Sequence, residues 1–163
     1  MKKSISVVYP VPPGAVLRAM TDLSFHQDKL RAMAMLSSEV LEHSHSGGRF
    51  YIRIRRTMRS DAPVPALIKK LVPAVSTLEH RDYWDAAEGA GRVEIELEGL
   101  PVELRCEMRA ICCPAGTELR HDWQVRCSLP VVGGTIERFV AGDLQRQMEL
   151  EAAASRPLLG RYL

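Results

Sequence analysis

Gly133-Gly134-Thr135-Ile136-Glu137-Arg138-Phe139-Val140-Ala141-Gly142-Asp143-Leu144-Gln145-Arg146-Gln147-Met148 is the stretch on which the fold turns. Its apolar members Ile136, Phe139, Val140, Leu144 and Met148, continued by Ala152, recur at steps of three and four residues. That spacing marks one apolar face of a long helix. A helix from Gly134 to Ser155 would span about 33 Å. The chain opens instead as a strand, and what lies between reads mostly as strands. One long helix then has one large sheet to lie against, a geometry that leaves a hollow between the two.

The segment just before the helix supplies the clearest hairpin. Pro101 to Cys113 and Thr117 to Leu129 flank the Pro114-Ala115-Gly116 turn. In the first arm Val102, Leu104, Cys106, Met108, Ala110 and Cys112 share a face; in the second, Leu119, His121, Trp123, Val125 and Cys127 do. Only a register pairing even with odd residues puts both sets on one side of the sheet. Cys106 then lies opposite Trp123 or Val125, out of disulfide reach of Cys127. Each arm is about 40 Å long, a match for the helix.

Further upstream, Arg92 to Glu98 alternates Val93, Ile95 and Leu97 with three glutamates, and Val75 to Asp85 is the strand before it. Ser37 to His45 and Arg49 to Met58 form a hairpin about Ser46-Gly47-Gly48. Ser4 to Tyr9 is the first strand, ended by Pro10 to Gly14. Ala15 to Met20 and Asp22 to Met35 follow as two short helices, with Asp22 as the N-cap of the second. The predicted order is strand, two helices, six strands, long helix.

At 163 residues the chain fits one domain, residues 1–163, large enough to bury a core without disulfides or metal. Ser4 to Val11 is too short, and too broken by prolines, for a signal peptide, and no stretch is long enough to span a bilayer, so the cytoplasm is the default. A net charge of +2 gives no argument for a nucleic-acid partner. Local charge is less even. Residues 49–73 are rich in Arg and Lys, whereas residues 79–107 hold nine carboxylates against three arginines. Cross-strand ion pairing on a wet face is preferred to a phosphate-binding patch. Cys106, Cys112, Cys113 and Cys127 lack zinc-ligand spacing and read as reduced thiols.

A first strand stepping through Pro12-Pro13-Gly14-Ala15-Val16 into a helix pair, an antiparallel meander and a final helix preceded by Leu129-Pro130-Val131-Val132 together resemble the START-like superfamily. That superfamily also includes birch-pollen-allergen-like proteins and polyketide cyclases. Glu79 to Trp84, taken with Leu129 to Glu137, looks like an uncharacterised bacterial branch of unknown function. The resemblance implies an α+β helix-grip fold, a curved antiparallel sheet wrapped around a long C-terminal helix, with two short helices after the first strand. It also implies a cavity between sheet and helix for an apolar small molecule or lipid. No catalytic residue carries over.

Polar residues at positions where the alternation faces inward are the candidates for a site. His121 lies between Leu119 and Trp123, and it reads either as a core histidine satisfied by a carbonyl or as a ligand-orienting or acid–base group. Arg56 turns inward unless a bulge at Arg55-Arg56 returns it to water; if buried, its charge must be paired. His80 and Asp82 face the interior if Leu78 and Trp84 do. Met108, Trp123, Trp84, Phe139 and Met148 complete the expected ligand-binding set with His121, His80 and Arg56. His43-Ser44-His45 reads as solvated turn residues. Neither a Ser-His-Asp arrangement nor a nucleotide-binding glycine motif is present, and no cofactor is expected.

Pro63 to Pro73 carries Ala66-Leu67-Ile68-Lys69-Lys70-Leu71. It reads as a helical turn that is either a packed connector, a lid over the cavity mouth, or a patch for peripheral contact with an anionic membrane. The leading expectation is non-catalytic binding or transport of a hydrophobic small molecule or lipid. One alternative is an aromatase/cyclase-type enzyme using cavity histidines. Another is a protein-interaction module with a filled cavity and an exposed tail from Pro157 to Leu163.

Overall fold

Strand β7 (Gly116–Cys127) pairs on one side with β6 (Val102–Cys113) and on the other with β1 (Lys2–Tyr9), so the first strand of the chain is joined to the last strand of the meander. The computed structural model describes residues 1–33 and 35–163. Between β1 and β6 come α1 (Pro13–Met20), α2 (Leu23–Ala32), β2 (Ser37–Ser46), β3 (Arg49–Arg59), β4 (Val75–Asp85) and β5 (Ala90–Leu97). The seven strands form one curved antiparallel sheet in the order β1-β7-β6-β5-β4-β3-β2. Helix α3 (Gly133–Ser155) lies in the grip of the sheet, packed against β7 and β1, with α1 and α2 at one end. This is the helix-grip fold, with two short helices after the first strand. No helix among the described residues is long and apolar enough to cross a membrane.

Local chemistry accounts for the elements. Pro13 starts α1, where its missing N–H has no partner to lose. The Asp22 carboxylate accepts the Ser24 amide at 3.1 Å and caps α2. Helix α2 ends at Ala32 with Met33 as C-cap, short of the Met35 expected from the sequence, and Ala34 lies outside the described residues. Gly47 and Gly48, at φ of 60° and 76°, supply the left-handed pair that a tight hairpin turn requires. Cys106 stands opposite Trp123, the parity-matched register, and all four cysteines are free. The uneven charge resolves into ion pairs on the outer face, among them Arg53–Glu79 and Arg55–Glu98 at 2.7 Å and Arg81–Glu96 at 3.5 Å.

Gly116 is the tightest backbone contact in the sheet. Its φ is 134°, and a Cβ there would stand 2.8 Å from the Val11 amide nitrogen and closer still to the Tyr9 carbonyl. Backbone cannot yield as a side chain can. Gly116→Ala is therefore expected to cost about 2 kcal/mol through strain and overpacking. Urea unfolding measures it, and a loss below about 0.5 kcal/mol would show that the turn relaxes freely.

The tail lacks the exposed form that the interaction-module alternative gives it. Arg156–Tyr162 continues α3 as a 3-10 segment that folds onto the helix pair instead of standing free. Leu159 is fully buried, Arg18 donates to the Tyr162 carbonyl at 2.6 Å, and the Tyr162 hydroxyl donates to Asp22 at 2.6 Å. The 63–73 segment holds a single 3-10 turn, Ala66–Ile68, anchored by buried Ile68 while Leu67 is 65% exposed.

Candidate functional site

Inward-facing residues of β1 and β3–β7 converge with one face of α3 on two adjoining chambers. The inner chamber, of about 60 Å³, is bounded by Val7 and Tyr9 of β1, Met20 and Lys29 of the helix pair, and Leu144, Gln147, Met148 and Glu151 of α3. Its sheet wall carries Arg56, His80, Asp82, Trp84, Met108, His121 and Trp123. The outer chamber, of about 100 Å³, is walled by Met58, Leu78, Leu97, Leu104, Phe139 and Val140, with Val72 and Pro73 of the 63–73 segment at its border. Arg56, Ile95, Leu144 and Gln147 line both, so they form the neck.

Seven of the eight residues named from sequence therefore share the inner chamber: Arg56, His80, Trp84, Met108, His121, Trp123 and Met148. Phe139 does not; its place on α3 sets it over the outer chamber. The β3–β4 register runs unbroken through Arg56, and the bulge in this region falls on β2 between Val40 and Glu42, so nothing returns Arg56 to water. Glu79 faces outward to Arg53, whereas Asp82 faces in. His43 and His45 are exposed on β2.

The inner chamber is polar for a cavity of its size. Lys29 Nζ bonds Glu151 Oε1 at 2.7 Å, with side-chain exposures of 6% and 28%. His80 Nε2 bonds Asp82 Oδ1, two residues along the same strand face. Burial pushes the Glu151 carboxyl up, but Lys29, then Arg56 and His80, more than offset it and hold the group well below the usual carboxylate range. Asp82 behaves likewise: burial raises it, the adjacent His80 lowers it further, and the net direction is down. His121 hydrogen-bonds the Leu119 carbonyl through Nδ1 at 3.1 Å, and burial depresses its pKa, so it is neutral at neutral pH. Trp123 Nε1 donates to Met148 Sδ at 3.1 Å and ties β7 to α3 across the cavity.

Arg56 is different. It is 7% exposed, and its guanidinium makes no hydrogen bond or ion pair among the described residues; its Nε is buried without a partner. His80 Nδ1 and Trp84 Nε1, from two other residues of the chamber wall, are also buried and unpartnered. Native proteins rarely leave such atoms orphaned, and these three are spread along the chamber wall, from Arg56 to the Phe50–Trp84 pair six residues away in register. Among the described residues, no group of three or more His, Cys, Asp or Glu side chains could hold a metal ion.

Lys29 and Glu151 were missed in the sequence. Both had a signal: Lys29 follows Phe25 by four residues on the buried face of α2, and Glu151 follows Leu144 by seven and Met148 by three on that of α3.

The profile of a family described as a protein of unknown function (DUF2505) matches residues 4–159. No curated protein matches the sequence. Among solved structures, TTHA0849 from Thermus thermophilus is 17% identical, with a TM-score of 0.66 over 98% of this chain and 97% of that one. A START superfamily protein from Mycobacterium smegmatis is 14% identical, TM-score 0.56, over 99% and 95%. The di-domain ARO/CYC BexL from the BE-7585A biosynthetic pathway is 16% identical, TM-score 0.59, over 96% of this chain and 45% of that one. At these identities the likeness is one of fold.

Proposed function

The chain belongs to the DUF2505 family of proteins of unknown function and carries a START-like helix-grip fold, and on that premise we propose that it binds a hydrophobic small molecule or lipid without transforming it. The observation carrying this reading is the pair of adjoining chambers between sheet and α3, each mostly apolar with a few polar side chains in its wall. Pockets for small molecules have this composition, apolar walls with a few placed polar groups. Both chambers are small beside the roughly 300–1,000 Å³ of a drug-sized site. A narrow chain or a single ring fits; anything larger needs the 63–73 segment to swing aside, which gives that segment the role of a lid.

Two measurements test the proposal. Native mass spectrometry of protein purified without detergent is expected to show a co-purifying molecule. Titration of the purified protein with octanol, followed by the emission of Trp84 and Trp123, is expected to saturate, and Val72→Trp at the border of the outer chamber to weaken it about tenfold, or 1.4 kcal/mol. A bare mass together with no response to octanol would sink the binding reading and favour a filled-core interaction module.

A second reading is favoured by the His80–Asp82 pair, since His121 lines the same chamber and BexL is an ARO/CYC protein. In a cyclase-type enzyme these histidines would move protons at a bound carbonyl compound. The variant His80→Ala/His121→Ala is expected to lose any turnover found, and turnover that survives both changes removes this reading.

A further inference from the structure

Resting on the binding reading, we infer that the neck between the chambers is a site for a single carboxylate: Arg56 holds the head of an amphipathic acid whose apolar chain lies in the outer chamber along Leu97, Leu104 and Phe139. Charge decides first. Lys29 is in direct contact with Glu151, and Asp82 is taken up by His80, which leaves Arg56 as the permanently charged side chain of the cavity with no contact partner among the described residues. Arg56 is only 7% exposed and acts on Glu151 at a distance, without a hydrogen bond, so its donors are free for a carboxylate in direct contact, which satisfies the fork better than a single alcohol oxygen does.

The site also selects among anions. A guanidinium presents a planar fork suited to carboxylate and phosphate alike. Asp82 and Glu151 line the same inner chamber, however, so a doubly charged phosphate would meet two fixed carboxylates there. A singly charged head satisfies Arg56 and adds least repulsion. Gln147, which lines both chambers with Arg56, can donate its amide to the second carboxylate oxygen. Beyond the neck the wall is mostly apolar, with Glu98 and Asp143 also in the lining; that suits an alkyl chain and adds to the repulsion of a second negative charge.

Octanoate, octanamide and octyl phosphate, matched in chain length, are the probes, with the emission of the two chamber tryptophans as readout. Wild-type protein is expected to bind octanoate about tenfold more tightly than either other probe. Arg56→Gln is expected to abolish that preference, weakening octanoate about tenfold more than octanamide, and Arg56→Lys, which keeps the charge but not the fork, to keep part of it. Equal affinity for octanoate and octanamide in the wild type, or a preference that survives Arg56→Gln, overturns the inference while leaving the binding reading standing. Tightest binding of octyl phosphate overturns the carboxylate assignment. If none of the three probes binds, and octanol does not either, the binding reading falls and takes the inference with it. Arg56 makes no direct contact but does favour the ionised Glu151, and the two effects of its removal oppose each other, so Arg56→Gln is expected to melt within a few degrees of the wild type. A variant that unfolds, or melts well below it, would show Arg56 to be a structural ion and overturn the proposal.

Discussion

Replacing Glu151 by Gln is expected to lower the stability of the protein by about 3 kcal/mol, the range in which breaking a buried ion pair falls once partial exposure is allowed for. Glu151 Oε1 lies 2.7 Å from Lys29 Nζ, and Lys29 is almost wholly buried. Without that carboxylate, Lys29 and Arg56 become two cations in one small chamber that also holds His80. Lys29→Met should cost less, because the remaining carboxylate is partly exposed and still faces Arg56. The double variant Lys29→Met/Glu151→Leu is expected to return to within about 1 kcal/mol of the wild type, since an apolar pair of similar volume replaces a desolvated one. Urea unfolding of all four proteins measures these differences. A loss below about 1 kcal/mol in Glu151→Gln would show that the pair is hydrated and contributes little.

The second large effect is a loss of stability in mild acid, centred on His26. This residue is fully buried on α2, with Nε2 2.9 Å from the Met20 carbonyl and its ring stacked on Phe50 at 5.3 Å and 7°. Burial, and then the nearby Lys29 charge, push its pKa down from 6.5 to about 4. Between those values the unfolded chain takes up a proton that the folded protein refuses, so stability present above pH 6.5 drains away as pH falls toward 4. One such group amounts to about 3 kcal/mol over that window. His121 is depressed in the same direction and adds to the slope. The carboxylates act lower: Asp82 and Glu151 are held below their usual values, so their contribution persists through this window and fails as pH falls through their folded values. His26→Phe, which keeps a ring against Phe50, is expected to remove the His26 share. The difference in unfolding free energy between wild type and variant should therefore change by about 3 kcal/mol from about pH 7.5 to about pH 4. A flat difference would mean that the imidazole charges freely in place.

Periodicity made most of the architecture legible before any coordinates. The step of α3 and the opposite parities of β6 and β7 required a sheet with one buried face against one helix, and that parity puts His121 indoors, whereas Arg56 hangs on the absence of a bulge in β3 and His80 on the register of β4. What sequence did not convey has physical causes. Lys29 and Glu151 lie 122 positions apart, and each alone looks like an intruder on an apolar stripe; they make sense only as neutralising partners, which needs the third dimension. The division into two chambers depends on the curvature of the sheet and on where α3 crosses it. No one-dimensional pattern holds that information, so Phe139 was grouped with Met148 although the two face different chambers. The tail read as apolar yet gave no hint of its dock, because Arg18 and Asp22, its anchors, come from the other end of the chain.

Those long-range closures have a consequence for how the protein is made. Tyr9 pairs with Thr117, and Arg18 reaches Tyr162 across 144 residues, so neither the first strand nor the helix pair has its final neighbours while the meander is still being synthesised. Synthesis proceeds at about 5–20 residues per second, which leaves β1 waiting for several seconds with an unsatisfied edge. Folding of this topology is thus weighted toward late, non-local steps, slow beside a helical bundle of equal length. The nascent segment most in need of a chaperone's cover is the amino-terminal strand.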